Sequence, residues 1–232
     1  MNWSLFQFAI IMKSLITIFF LLFISQVSRS QNQTYLKEAN GRPILGSVKS
    51  DVIGSPLLFK HFKVGVVQLK NGKSIKDVPV NFDLISNTPL FGKAGSPPLA
   101  FVDPVVAFSV QDTSSNGVTT VQYIFLDNDV TPSCYKVLST GKLTLMKKLW
   151  KIVWEDKPYN SATITKNVLE KSAYYLQDPS SKKLSQLKPS KKNVLAVMAD
   201  KSTEVQQYLK NNSVNFDEDQ DLTALFTFYN GL

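Results

Sequence analysis

The sequence predicts an α+β protein, in which an antiparallel, curved β-meander over residues 54–188 precedes three short C-terminal helices over residues 189–232. Two observations predict this class. Up to residue 178, short apolar stretches with a period of two are separated by turn residues, as in strands joined by tight turns. Beyond Pro189 the apolar residues recur every three or four positions, which is the spacing of a helix face.

The N-terminal residues 1–30 have the pattern of a signal peptide. Their apolar core, residues 15–24, is about half the roughly 20 residues that a membrane-spanning helix needs, and Lys13 precedes it. Small residues at 28 and 30 predict cleavage between Ser30 and Gln31. Two alternatives stay open: translation starts at Met12, or residues 1–30 remain as an uncleaved anchor, because residues 5–11 are also mostly apolar.

Cleavage would leave an exported chain without a membrane span. Its expected location is the periplasm, the cell surface or the extracellular space. Its first part, residues 31–53, is expected to be a flexible N-terminal segment, because its opening residues are polar. The folded part is expected to begin at the Gly-Ser-Pro turn of "GSPLLFKHF", residues 54–62.

A β-hairpin around Asn71-Gly72 is the strongest local prediction. Residues 64–69 are mostly β-branched, and Asn-Gly is typical of a type I′ turn. In the second strand of the hairpin, buried and solvent-facing residues alternate. The buried face is predicted to comprise Val78, Val80, Phe82 and Leu84, and the solvent face Asp77, Pro79, Asn81 and Asp83. Since proline cannot donate a ladder hydrogen bond, Pro79 is expected at a sheet edge or a bulge.

Further strands are predicted at 100–110, 119–126 and 135–138. The first should carry Val106, Phe108 and Val110 on one side. Residues 143–154 fit both a helical stripe and strand alternation, and we favour a strand because tight turns flank the neighbouring strands.

Three helices are predicted after Pro189. Ser190 should cap the first, the second should begin near Ser202, and the third should follow "NFDEDQD". The acids Asp217, Asp219 and Asp221 have the opening spacing of a calcium loop, but Leu222 and Phe228 occupy the positions where that loop needs glycine and glutamate. We therefore interpret the acids as offsetting the helix dipole and predict no metal site.

No catalytic or cofactor-binding residue is predicted. The chain has one cysteine and one histidine, Cys134 and His61, which we interpret as a buried thiol and a surface side chain rather than a catalytic pair. Nucleophile-elbow and nucleotide-binding glycine motifs are absent from the sequence. A sugar-stacking platform is an alternative to core packing for four aromatic residues, namely Trp150, Trp154, Tyr174 and Tyr175.

Positive charge is concentrated in the middle of the chain. Residues 136–192 carry thirteen basic and four acidic side chains, whereas residues 193–232 carry two and six. Every basic residue after position 42 is lysine, which suits a solvated face or an anionic polymer or lipid surface. Nucleic acid is not expected as a partner, because the export signal argues against it.

Distinctive stretches of residues 54–232 include "GSPLLF", "GVVQLKNGKSIKDVPVNFDL" and "DLTALFTFYNGL", with Gly54-Ser55-Pro56, Gly72, Phe82-Asp83 and Tyr229-Asn230 the most specific residues. In these stretches, which span most of 54–232, the sequence resembles an uncharacterised family of exported proteins of Bacteroidetes-type bacteria. The resemblance implies export and a bacterial envelope setting, and it implies no activity.

These observations favour a non-enzymatic binding or assembly protein of the cell envelope, whose partner is an envelope protein or an anionic polymer or lipid surface. The alternative is a periplasmic hydrolase that uses carboxylates such as Asp77, Asp83 and Asp103. Asp77 and Asp83 would lie about 20 Å apart along one strand, at about 3.3 Å per residue, which is too far for paired acid–base catalysis unless another strand supplies a partner.

Overall fold

The computed structural model describes residues 41–44, 51–92, 96–114, 117–126, 133–157 and 164–232. Within these residues the chain forms twelve strands and three helices. The strands are β1 (Gly41–Pro43), β2 (Val52–Ile53), β3 (Lys63–Leu69), β4 (Ser74–Asp83), β5 (Thr88–Phe91), β6 (Leu99–Phe101), β7 (Val105–Ser114), β8 (Gly117–Leu126), β9 (Ser133–Ser139), β10 (Thr144–Asp156), β11 (Thr165–Gln177) and β12 (Leu184–Leu187). The helices are α1 (Lys191–Val197), α2 (Ser202–Asn211) and α3 (Asp219–Asn230).

The strands belong to one sheet, in the order β1-β6-β5-β4-β3-β7-β8-β9-β10-β11-β12. The antiparallel meander predicted from the sequence is only partly right. It holds from β3 to β6 and again from β7 to β12, but β7 pairs with β3 rather than with β6. In addition, β2 pairs in parallel with β11, so the sheet is mixed. β1 and β2 also lie inside the segment 31–53 that was expected to be flexible.

A short connection requires the sheet to curl. Residues 102–104 join β6 to β7, although β5, β4 and β3 lie between these two strands. In a flat sheet the gap would be about 19 Å, at about 4.8 Å per strand, whereas four Cα steps reach about 14 Å at most. The result is a curled half-barrel. Its curl brings the end of β4 to β10, where Lys151 N donates to Leu84 O at 3.0 Å.

The predicted β3–β4 hairpin is confirmed, but its turn is not type I′. Gly72 has a φ of 86°, whereas Asn71 is not among the residues with positive φ. Gly72 N donates to Leu69 O at 3.0 Å and Leu69 N to Lys73 O at 2.9 Å. This is a type I turn followed by a left-handed glycine, the usual three-residue hairpin loop.

The solvent face predicted for β4 is wrong in its second half. Val78, Val80 and Phe82 are buried as expected, but Asn81 and Asp83 on the opposite face are buried too. The segment before β3 covers that face, and Asn81 holds it through hydrogen bonds with the N–H and the carbonyl of Phe59, at 3.1 and 2.9 Å.

Pro79 lies beside a bulge, in agreement with the expectation from the sequence. The pairing of β3 with β4 shifts register between Gly65 and Val67, and Asp77 has a φ of 55° there. Gly92 N donates to Pro79 O at 3.1 Å, so the proline nitrogen faces the side of β5, just past the last residue of that strand.

Another bulge separates Val106 from Phe108 and Val110, with which it was predicted to share one side of the strand. Leu69 pairs with Val105 and Gln68 with Ala107, so Val106 is the extra residue and is 36% exposed. Phe108 and Val110 are buried as predicted. Phe108 belongs to an aromatic core in which it packs against Phe59, Tyr123 and Phe125, and Phe82 stacks on Phe125.

The helices pack on the sheet at β9–β12. Ser190 Oγ accepts from Asn193 N and caps α1, as predicted. The expected stripe of α3 is buried, namely Leu222, Leu225, Phe226 and Tyr229. It packs with residues of α1 and α2 against the sheet residues Leu145, Tyr174, Leu176 and Leu187. The strand favoured for 143–154 is confirmed as β10.

Candidate binding surface

The lysine-rich segment 136–192 does not form one continuous cationic face. Lys136 and Lys147 point at Asp219 in the first turn of α3, with Nζ–O distances of 3.1 and 2.8 Å. The Tyr174 hydroxyl donates to the same carboxylate at 2.8 Å. These four residues form an ion cluster that joins β9, β10 and β11 to α3.

The ion cluster has a strong electrostatic effect on its members. Burial disfavours the charge on Asp219, but the hydrogen bonds from Lys147 and Tyr174 and the nearby charge of Lys136 outweigh burial and hold its pKa below the usual range. Burial and the hydrogen bond to Asp219 raise the pKa of Tyr174, which therefore stays protonated and donates.

Four other lysines of the segment also have contacts within the fold. Lys151 donates to the carbonyls of Ser55 and Leu57, and Lys166 forms an ion pair with Asp51. The hydrogen bond to Asp51 raises the pKa of Lys166. The ammonium groups of Lys142 and Lys148 lie over tyrosine rings, 5.7 and 5.9 Å from the ring centroids.

The remaining lysines concentrate around β12 and α1. Five of them are exposed, and none forms an ion pair with a residue that the structure describes: Lys182, Lys183, Lys188, Lys191 and Lys192. Across residues 178–192 the only acid is Asp178, whose carboxylate is engaged by Ser180 N and the Ser181 hydroxyl. We call these five residues the lysine surface.

A groove of about 350 Å³ lies between β12 and α1 and shares Lys188 with the lysine surface. It is lined by Gln186, Leu187, Lys188, Asn193, Ala196 and Val197. Asn193 Nδ2 donates to Lys188 O at 2.9 Å and ties the helix to the end of the strand. The groove therefore combines amide groups and apolar side chains with one lysine, Lys188.

The three carboxylates proposed for a hydrolase lie in different settings. Asp83 caps a turn by accepting from Ile85 N and Ser86 N, both at 2.9 Å. Asp77 is exposed at the β4 bulge, and Asp103 lies in the link between β6 and β7. No described contact joins any two of them.

The other candidate residues lie in separate settings. Cys134 is fully buried, which raises the pKa of its thiol, and His61 is exposed. Asp219 belongs to the ion cluster, and Asp221 accepts from Asn215 N at 2.8 Å. Among the described residues, no group of three or more His, Cys, Asp or Glu side chains is placed to hold a metal ion.

The four aromatic residues considered as a sugar platform do not share a face. Tyr174 points toward α3, whereas Trp150, Trp154 and Tyr175 lie on the opposite side of the β10–β11 ladder. Of these, Trp154 is 55% exposed, and Tyr175 packs edge-on against Tyr135.

Ser30 and Gln31, the predicted cleavage site, lie outside the residues that the structure describes. Within the described ranges, no helix has the length and apolar character needed to cross a membrane. Comparisons with protein-family models, curated proteins and solved structures found no match for this chain.

Proposed function

We propose that this chain is an exported, non-enzymatic binding or assembly protein of the bacterial cell envelope, and that the lysine surface binds an anionic envelope polymer. The observation that carries the proposal is the distribution of lysines. Those on β9–β11 are largely used within the fold, whereas the five around β12 and α1 have no ion-pair partner among the described residues. The groove beside Lys188 favours a polymer chain over a flat membrane, since its concave surface can receive one acidic unit.

Charge reversal tests the binding surface directly. The variant K188E/K191E/K192E should bind polygalacturonate, a carboxylate polymer, about tenfold or more weakly than the wild-type chain, because attraction becomes repulsion at the groove. The matched control K60E/K76E/K210E makes the same change in net charge at three exposed lysines elsewhere. Calorimetric titration measures both affinities.

The control variant should bind almost as tightly as the wild type. Raising ionic strength from 0.1 to 1 M shortens the screening length from about 10 to 3 Å and should weaken wild-type binding. Equal losses in both triple variants, or tighter binding to phosphatidylglycerol vesicles than to the polymer, would contradict the assignment of a polymer to this surface.

Export has its own test. Mass spectrometry of the protein isolated from the envelope fraction of its source should give a mature N-terminus at Gln31, because residues 15–24 are too short to span a bilayer. A cytosolic product that retains residues 12–30 would contradict export, and it would return nucleic acid to consideration for the lysine surface.

A further inference from the structure

The outer edge of β11 contains a gap between two strands. β2 pairs with β11 at Lys166 and Asn167, and β12 pairs with it at Tyr174–Gln177. Between them, residues 168–173 have no strand partner on that edge among the described residues. Six residues extend about 20 Å, which is the length of an ordinary strand.

Two hydrogen bonds fix which backbone groups face this gap. Asp178 N donates to Lys183 O, toward β12, and Lys151 N donates to Leu84 O, away from β11. In an antiparallel ladder, the N–H and C=O groups of successive residues point alternately to the two neighbouring strands. Both bonds therefore indicate that the even-numbered residues of β11 point away from β10. Leu169 and Lys171 bond to β10, whereas Glu170 and Ser172 direct their N–H and C=O groups into the gap. The Val168 C=O also faces the gap, but the Val168 N–H faces β2, where Asn167 pairs in parallel with Ile53.

The local backbone explains why β2 stops where it does. Gly54 follows β2 with a φ of 113°, and a Cβ at that position would lie 3.0 Å from Val168 Cβ. The chain then turns away through Ser55 and Pro56, so the segment that starts to fill this edge leaves it after two paired residues.

Apolar side chains are exposed around the gap. Leu169 is 36% exposed, Trp154 on the neighbouring strand is 55% exposed, and Ile53 at the end of β2 is 64% exposed. An added strand would cover part of this surface while satisfying the outward backbone groups, which is how extended peptides bind at sheet edges.

We propose that residues 168–173 of β11 bind an extended segment of a partner protein, which enters the sheet as an additional strand between β2 and β12. The segment carries an apolar residue beside Leu169 and an acidic residue opposite Lys171, since opposite charges stabilise a cross-strand pair. This site is separate from the lysine surface and does not depend on polymer binding there.

The charges on the edge argue against a second copy as the occupant. Two-fold antiparallel pairing places residues of the same face opposite each other. Every such register that uses more than three of the six residues is centred on Glu170 or Lys171. Each would set one of these side chains opposite its own copy, and like charges directly opposite destabilise a strand pair.

Amide exchange in the full chain, followed by NMR, tests the gap. The amides of Glu170 and Ser172 should exchange about tenfold or more faster than those of Leu169 and Lys171. A synthetic hexapeptide that alternates threonine and valine and carries one glutamate should slow these two fast amides.

Ser172→Pro removes one outward N–H, and Ser172→Thr is the matched control that keeps it. Proline is tolerated on an open edge, so retained protection at Leu169 and Lys171 verifies the fold of the variant. The proline variant should bind the peptide about tenfold or more weakly, and the threonine variant as tightly as the wild type.

Four results would overturn the proposal. Uniform slow exchange across residues 168–173 in the free chain would mean that the edge is already filled. Protection that rises with protein concentration would identify a second copy as the occupant. Equal peptide binding by Ser172→Pro, or no slowing of the Glu170 and Ser172 amides at millimolar peptide, would exclude strand addition.

Discussion

At the scale of single residues, Asp219 connects the two kinds of secondary structure. Its carboxylate accepts from two lysines and one tyrosine on three strands, while its backbone begins α3. The position of Asp219 is compatible with the expected interaction of its charge with the helix dipole. Its low pKa, however, comes from its partners on the three strands. Because the pKa of Asp219 is lowered in the folded state, its ionisation stabilises the fold.

Replacing Asp219 with asparagine should destabilise the protein by about 1–3 kcal/mol at pH 7, since it removes charged hydrogen bonds to Lys136 and Lys147. The difference from wild type should be full above the unfolded pKa of about 3.9 and should disappear as pH falls through the lower folded pKa. Urea unfolding at several pH values measures it.

The matched control for this prediction is Asp217→Asn, which removes the same charge at an exposed carboxylate two residues away. It should change stability by less than about 0.5 kcal/mol. A pH-independent difference between wild type and Asp219→Asn would show that the carboxylate acts through packing rather than through its charge.

One feature of the sequence indicates the ion cluster, namely a lysine on the buried face of a predicted strand. In β10, Lys147 lies between Leu145 and Leu149 on the same face, and both leucines are buried. A lysine in the middle of a buried alternating face needs an acidic partner. The identity of that partner could not be predicted, because Asp219 lies more than seventy residues away in sequence.

At the scale of elements, α3 is attached at both ends. Asp219 holds its start, and Asn230 holds its end against the turn between β9 and β10. The Asn230 amide accepts from Leu143 N and donates to Leu143 O, both at 3.0 Å, and it also donates to Ser139 Oγ. Gly141 makes the close approach possible, because a Cβ there would lie 2.5 Å from Asn230 Cγ.

Replacing Asn230 with alanine should lower the free energy of unfolding by about 1–3 kcal/mol, because Leu143 loses both backbone partners. It should also speed amide exchange at Leu143. Asn212→Ala is the control, since it removes a single exposed bond to Tyr208 O at the end of α2. Equal destabilisation by the two variants would contradict the attachment of α3 through Asn230.

Element positions followed from the sequence wherever hydrophobic period and turn residues agreed. All three helices and the β3–β4 hairpin were predicted in this way, whereas the period of β10 was ambiguous and the neighbouring turns favoured a strand. Two of the errors have local causes. The bulge at Val106 shifts the inward–outward alternation of side chains along β7. The β3–β4 turn has one residue in the left-handed region, Gly72, rather than the two that a type I′ turn requires. Neither changes the apolar pattern, so periodicity could not detect them.

At the scale of the whole molecule, helix packing and strand order separate the lysines used within the fold from the exposed ones. Asp219 of α3 engages lysines of β9 and β10, whereas β12 lies at the end of the strand order and the lysines that flank it stay exposed. The sequence showed the excess of positive charge, but only the strand order separated the lysines used within the fold from those of the lysine surface.

The most direct test of the central claim, that the lysine surface binds an anionic polymer, is an NMR titration of the full chain with polygalacturonate. We expect the largest amide shift changes at residues 182–197, around β12 and α1, with little change at Lys136 and Lys147. Changes that centre on another part of the chain, or are spread evenly over all exposed lysines, would contradict the claim.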